Sequence, residues 1–205
     1  MARSSGDRAP ATLFERRVAP VLDLADRAGA VADACHAMAR RFHLGGRLLV
    51  LGTGAASTDA QHVAVEFVHP VIVGKRALPA ISLACDIATV TGLAERDGPA
   101  EVFAHQIRLL ADPVDIALGI SSDGNCRSVL RGLAAGHELG MLTVALTGGD
   151  GGAIARSTAV DHLLVARSAD PRVVKEVHVT TYHVLWELVH VFFEQPGLLT
   201  PREAG

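Results

Sequence analysis

Five short apolar runs, each too brief for a helix, recur along this chain at intervals long enough to hold one. They are Arg47–Gly52 (RLLVLG), Ala80–Ala84 (AISLA), Asp115–Ile120 (DIALGI), Leu142–Leu146 (LTVAL) and Asp161–Ala166 (DHLLVA). A continuous apolar run such as the first suits a strand covered on both faces. Helical stretches lie between the runs, at about 59–69, 87–93, 100–110 and 126–139. Strand and helix in alternation require right-handed crossovers, and so a parallel sheet with helices packed on it. The expected fold class is α/β, a three-layer sandwich around a five-stranded parallel sheet.

The ends of the chain add helices. Leu13, Val18, Val21, Leu22 and Leu24 recur at near-helical spacing, and Val31, Ala34, Met38 and Phe42 form a second stripe. Ala28-Gly29-Ala30 marks a break between the two. Helices ahead of the first strand either wrap the core or pair with another subunit. Pro171 fits the first turn of a last helix that runs to Phe193. The expected organisation is one domain over 11–195, with N-terminal helices at 11–43 and an α/β core at 47–195. Residues 1–10 are expected to be disordered and 196–205 to form a tail. A chain of 205 residues suits a single domain.

Composition narrows the function classes. The formal charge is -3, with no basic surplus to suggest nucleic acid. No run approaches the roughly 18 apolar residues of a membrane span. The polar N-terminus does not read as a signal peptide. Cys35, Cys85 and Cys126 are odd in number and form no CxxC pair, which argues against a disulfide framework or a zinc knuckle. Reduced thiols in a cytoplasmic protein are the expectation.

In an open parallel sheet, ligands bind beyond the carboxyl ends of the strands. Three loops there are informative. Gly52-Thr53-Gly54-Ala55-Ala56-Ser57-Thr58-Asp59 leads straight into a helix, whose free amides attract anions. It lacks the dinucleotide fingerprint, so a nicotinamide cofactor is not expected. Ile120-Ser121-Ser122-Asp123-Gly124-Asn125-Cys126 gathers hydroxyls and amides before another helix, yet Asp123 puts a carboxylate where an anion would sit, and like charges repel. Leu146–Gly152 is a polar turn with no side chain obviously suited to chemistry. His62 and Glu66, four residues apart, share one helix face. That geometry serves metal binding or proton transfer; on its own it equally describes a solvated or capping pair.

Taken together and in this order, the loops resemble the SIS (sugar isomerase) domain of phosphoheptose isomerases. The likeness rests on GTGAASTDAQHVAVEF at 52–67, LGISSDGN at 118–125, LTGGDGG at 146–152 and KEVHVTTYH at 175–183, and it extends from about residue 11 to 195. It implies a flavodoxin-like SIS domain preceded by N-terminal helices. It also implies an aldose–ketose isomerase acting on sedoheptulose 7-phosphate, assembled as a homotetramer with sites shared between subunits. The family's acid–base pair falls at Glu66 and His183. A zinc is implied at His62, Glu66 and His183. Substrate binding is implied for Thr53, Gly54, Ser57, Ser121, Ser122, Asp123, Asn125 and Lys175.

The departures from the family pattern matter as much. Its phosphate loops read close to GNGGS and STSGNS. Here Thr53, Ala55 and Ala56 alter the first, and Asp123 and Cys126 the second. A glutamine of the family's site falls at Lys175, and an ammonium cannot ligate zinc while it keeps its proton. Lys175 is expected to act as a fixed cation, or to pair with Glu66 or Asp123. Further along the helix, His183, Glu187 and His190 fall on one side by phase, as a polar cluster or as interface histidines. Tyr182 and Trp186 read as core or interface residues. Three functions stay open: a sugar-phosphate isomerase, a non-catalytic SIS module that senses a ligand or binds a partner, and an isomerase whose substrate lacks phosphate.

Overall fold

The computed structural model describes residues 10–199. Two 16-residue helices open the chain, α1 (Pro10–Ala25) and α2 (Ala28–His43). The α/β core follows as β1 (Leu48–Gly52), α3 (Ala55–Val68), β2 (Ala80–Ser82), α4 (Ile87–Asp97), α5 (Val102–Leu110), β3 (Ile116–Ser121), α6 (Arg127–Glu138), β4 (Leu142–Gly148), the short α7 (Gly152–Ala155), β5 (His162–Ala166) and α8 (Pro171–Phe193). A 3-10 turn at Pro196–Leu198 begins the expected tail. The expected disorder at 1–9 and the tail beyond 199 lie outside the described residues, whereas Pro10 is already helical.

All five strands are parallel, in the order β2-β1-β3-β4-β5. That is the flavodoxin-like order, with its switch point between β1 and β3. Successive strand residues face opposite sides. Leu48, Val50, Ile116, Leu118 and Val144 therefore pack with α2, α3 and α8 in one core. Leu49, Leu51, Ala117 and Ala145 pack with α5 and α6 in the other. α1 rests outside, on α8 and β5. The small residues let the layers approach closely: a Cβ on Gly132 of α6 would lie 2.8 Å from Leu51 Cδ1 and 2.9 Å from Phe103 Cβ.

Several boundaries differ from the sequence expectation, each for a local reason. The break between α1 and α2 falls at Asp26–Arg27, and Gly29 lies inside α2. β2 is only three residues long because it is an edge strand and the chain leaves it at Leu83. α3 starts at Ala55 rather than Asp59, so most of the first glycine loop is its first turn. α4 runs on to Asp97, started by the Asp86 carboxylate, which accepts from the amides of Ala88 and Thr89.

At the carboxyl end of the sheet, the loop after β3 is clamped to α7, which follows β4. Gly124 O accepts from Ile154 N at 2.9 Å, and Asn125 Oδ1 accepts from Ala153 N at 3.0 Å. Gly124 has a φ of +69°, and a Cβ there would lie 1.9 Å from Gly151 O. Gly124→Ala is therefore expected to cost about 2–4 kcal/mol through strain and overpacking. In thermal unfolding that is a fall of about 5–10 °C for a domain of this size. An unchanged midpoint would show that the clamp yields freely.

Candidate active site

Glu66 and His183 meet because α3 and α8 lie side by side and run in parallel. Both helices leave carboxyl ends of strands and descend the same face of the sheet. Contacts from four residues of α8 bridge them. Lys175 Nζ lies 2.7 Å from Asp59 Oδ1. The Tyr182 hydroxyl lies 3.2 Å from His62 Nδ1. His183 Nε2 lies 3.0 Å from Glu66 Oε1. Trp186 Nε1 donates to Glu66 O at 3.0 Å. The last of these satisfies a carbonyl in the final turn of α3, which the helix itself leaves unpaired.

The carboxylate of Glu66 is the centre of the site. Its Oε1 is 3.0 Å from His183 Nε2 and 3.3 Å from His62 Nε2. Its side chain is 14% exposed, while both imidazoles reach solvent. The two rings stand 5.3 Å apart at 68°. A carboxylate gripped by two imidazoles on an open face can exchange protons with a bound molecule. The three ligand atoms also lie within 4.8 Å of one another, and among the described residues no other His, Cys, Asp and Glu side chains gather so closely. Two imidazole nitrogens and one carboxylate oxygen are a donor set that suits zinc and leaves a position open. His62 Nδ1, the far side of one ligand, already has a hydroxyl partner.

Lys175 does not pair with Glu66 or Asp123, the sequence-based alternative to a fixed-cation role. It is drawn into the first turn of α3, where it donates to Ala55 O at 3.0 Å, Thr58 Oγ1 at 3.2 Å and Asp59 Oδ1. Asp59 is buried, with its side chain 7% exposed, and Lys175 supplies its countercharge. Neither Asp59 nor Tyr182 stands out from the sequence as part of the site. The signal that finds Asp59 is phase: it precedes His62 by three residues on the same helix face. Tyr182 is buried, as a core reading expects, yet its hydroxyl faces the site. Burial, and then the negative charges of Asp59 and Glu66, push its phenol above the ordinary value, so it keeps its proton.

Of the two readings of His183, Glu187 and His190, the polar cluster does not form. His190 is buried, with its ring nitrogens on the backbone carbonyls of Trp186 and Arg76, while Glu187 is exposed. α8 has more than two turns of burial on one side, and His190 falls on that side.

The loops at the strand ends are largely self-satisfied. Gly54 sits at the N-cap of α3, and the Ser57 hydroxyl donates back to Gly54 O at 2.7 Å. Thr53 Oγ1 meets Cys126 Sγ at 3.1 Å, joining the first loop to the second. Asp123 turns its carboxylate into its own loop, where Oδ1 accepts from Asn125 N at 2.9 Å and from the Ser121 hydroxyl at 3.4 Å. It takes an amide that an anion would otherwise use. Ser122 is exposed at the rim. Burial raises the Cys126 thiol, but hydrogen bonds from Ser128, Thr53 and the amides of Val129 and Ser128 outweigh it and bring the thiol below its ordinary value.

Two stability tests follow from this wiring. Lys175→Met leaves the buried Asp59 carboxylate unpaired and is expected to cost about 2 kcal/mol, below the usual range for buried pairs because Lys175 is partly exposed. Adding Asp59→Asn is expected to restore part of that loss in urea unfolding; a single variant as stable as the parent would deny the pair a structural role. His178, buried beneath Thr147, is pushed below its ordinary value of 6.5 by burial. Below that pH the unfolded imidazole takes a proton that the folded one refuses, so stability falls as pH drops through about 6.5. His178→Asn is expected to flatten that part of the stability profile, and an unaltered profile would assign it to other groups.

A model of the SIS domain family matches residues 14–148. The chain is 39% identical over 160 residues to the phosphoheptose isomerase of Desulfovibrio desulfuricans, covering 77% of this chain and 74% of that protein. It is 38% identical over 177 residues to that of Pelobacter propionicus, covering 86% and 93%. Among solved structures, a phosphoheptose isomerase from Francisella tularensis superposes with a TM-score of 0.84 at 30% identity, covering 92% of this chain and 99% of that one. Among the described residues, no helix is long and apolar enough to cross a membrane. The chain belongs to the SIS domain family, on its phosphoheptose isomerase-like branch.

Proposed function

We propose that this protein is a sugar-phosphate isomerase that interconverts the ketose sedoheptulose 7-phosphate and its aldose. One observation carries the reading: the Glu66 carboxylate lies within hydrogen-bonding reach of two imidazole nitrogens on an open face. Aldose–ketose exchange moves one proton between neighbouring carbons and another between their oxygens. Glu66, as base, takes the proton from the carbon beside the carbonyl. His183 hands a proton to the carbonyl oxygen. The resulting enediol then collapses the other way, with the roles reversed. His62, Glu66 and His183 are the residues that would hold a zinc, and when bound it would polarise the carbonyl as a Lewis acid.

The phosphate end of the substrate is read by what the loops retain. Asp123 and Cys126 reduce the second loop as an anion site. The N-terminal end of α3 favours an anion through its helix dipole, although Ala56 N and Ser57 N bond back to Thr53 O and Gly54 O and the Lys175 ammonium beside them is paired with Asp59. That helix end favours phosphate at the first loop, beside Thr53, Gly54 and Ser57, with Lys175 at its edge and Ser121, Ser122 and Asn125 facing sugar hydroxyls. The inward turn of Asp123 specifically favours a second reading, in which the substrate carries no phosphate at that end.

The assembly proposed is a homotetramer working in the cytoplasm. Phe14, Val18 and Leu22 are exposed at four-residue intervals along α1, with Phe14 at 73%. Val65 and Val68 on α3 and Val191 on α8 are exposed as well. A second copy laid over these side chains would remove apolar surface from water and enclose the site.

Incubating the purified protein with sedoheptulose 7-phosphate, with and without added zinc, tests the reading directly. Turnover is expected, and Glu66→Gln or His183→Gln is expected to lower it by about 10²–10⁴-fold at unchanged fold. Binding of the sugar phosphate without turnover in either condition would instead describe a ligand-sensing module, and no binding would favour the unphosphorylated substrate.

A further inference from the structure

Tyr182 is wedged between the two imidazoles of the site. Its ring meets His62 edge-on at 5.4 Å and His183 edge-on at 5.0 Å. Its hydroxyl lies 3.2 Å from His62 Nδ1, and the residue is 1% exposed. The hydroxyl side of that contact is buried, while the His62 ring itself reaches solvent. The other nitrogen of the same ring, Nε2, faces Glu66 Oε1 at 3.3 Å. A neutral imidazole offers one donor and one acceptor, and an ionised carboxylate only accepts. A carboxylate oxygen at that distance favours an N–H over a lone pair on Nε2; Nδ1 then accepts, and the Tyr182 hydroxyl is the group placed to donate.

We propose that Tyr182 is a positioning residue of the site, whose hydroxyl fixes the ring orientation of His62 and, in the metal-free protein, supports its Nε2–H tautomer. In this arrangement Glu66 Oε1 faces one ring nitrogen of each imidazole, 3.3 Å from His62 Nε2 and 3.0 Å from His183 Nε2, so the orientation of the His62 ring sets how it meets the carboxylate. The hydroxyl is also reversible. Rotated to accept from Nδ1–H, it leaves the Nε2 lone pair facing the centre of the cluster, as a metal ligand requires. Phenylalanine would keep the wedge and lose this control. The kinetic consequence rests on the isomerase reading proposed above, whereas the tautomer assignment does not.

The experiment is nitrogen–proton NMR of the histidine rings in the metal-free, full-length protein at about pH 8, well above the ordinary imidazole value, for the parent and Tyr182→Phe. The parent is expected to show His62 as a single Nε2–H tautomer with Nδ1 shifted as a hydrogen-bond acceptor. In the variant the Nδ1 resonance is expected to move to the position of an unbonded ring nitrogen. Alongside it, kcat is expected to fall about tenfold or more with KM within about twofold, as when an outer partner of a site histidine is removed. An Nδ1–H or mixed tautomer in the parent overturns the inference, even if the variant does not fold. Identical Nδ1 shifts in the two proteins overturn it too. A parent without turnover defeats the isomerase reading alone, and the NMR comparison still decides the role of Tyr182.

Discussion

The site depends on one constraint: α3 and α8 must lie parallel at a fixed axial offset. Each contact between them reports that offset. Lys175–Asp59 and Tyr182–His62 join residues 116 and 120 apart in sequence, and Trp186–Glu66 again 120. The spread is about one helical turn, as expected for residues that share a seam between two parallel helices. A slip of α8 by one turn would carry His183 about 5 Å along its axis and out of reach of Glu66. The acid–base pair is thus a consequence of register. The register is held by an ion pair above it, an indole below it and a phenol within it, together with the shared core against β1, β3 and β4.

This arrangement explains how the loops diverge while the centre stays intact. The loops after β1 and β3 bond largely to themselves and to each other. Thr53 meets Cys126, Asp123 closes on Asn125, and Gly124 is clamped beneath Gly151 and Ile154. None of these bonds bears on the α3–α8 offset. Recognition at the strand ends can change residue by residue without moving Glu66 or His183. Fold alone does not fix the ligand, and here the physical reason is visible: chemistry and recognition rest on separate sets of contacts.

The same separation sets what was legible in the sequence. Strand positions follow from apolar runs, and the bounds of α8 follow from Pro171 and the periodicity behind it. His62 and Glu66 are four apart on one helix, so a short-range rule places them together, and the resemblance adds His183. Partners more than a hundred residues away are a different matter. Helical phase says which face Lys175 occupies but not which carboxylate lies opposite; Asp59, Glu66 and Asp123 all qualify on charge alone. Burial decides it, because Asp59 is sequestered and needs a cation, while Asp123 finds donors in its own loop. His190 fails as a site residue for a related reason. Phase groups it with His183 and Glu187 only loosely, and its buried ring nitrogens face two backbone carbonyls, those of Trp186 and, more than a hundred residues away, Arg76.

A lysine near a metal-type cluster looks at first like a contradiction. Asp59 and Glu66 are seven residues apart on α3, so the Lys175 ammonium lies about 10 Å along the helix from the Glu66 carboxylate. An uncompensated ammonium at that distance would oppose a dication by about 3 kcal/mol at an effective dielectric of 20. Lys175 is not uncompensated. The Asp59 carboxylate, 2.7 Å from Nζ, turns the charge into a short dipole whose field fades within the first turns of α3. Screening over roughly 8–10 Å in salt weakens what is left. The cation is in effect spent on fastening α8 to the start of α3, and the cluster of His62, Glu66 and His183 is left with the single negative charge of Glu66 to meet whatever binds there.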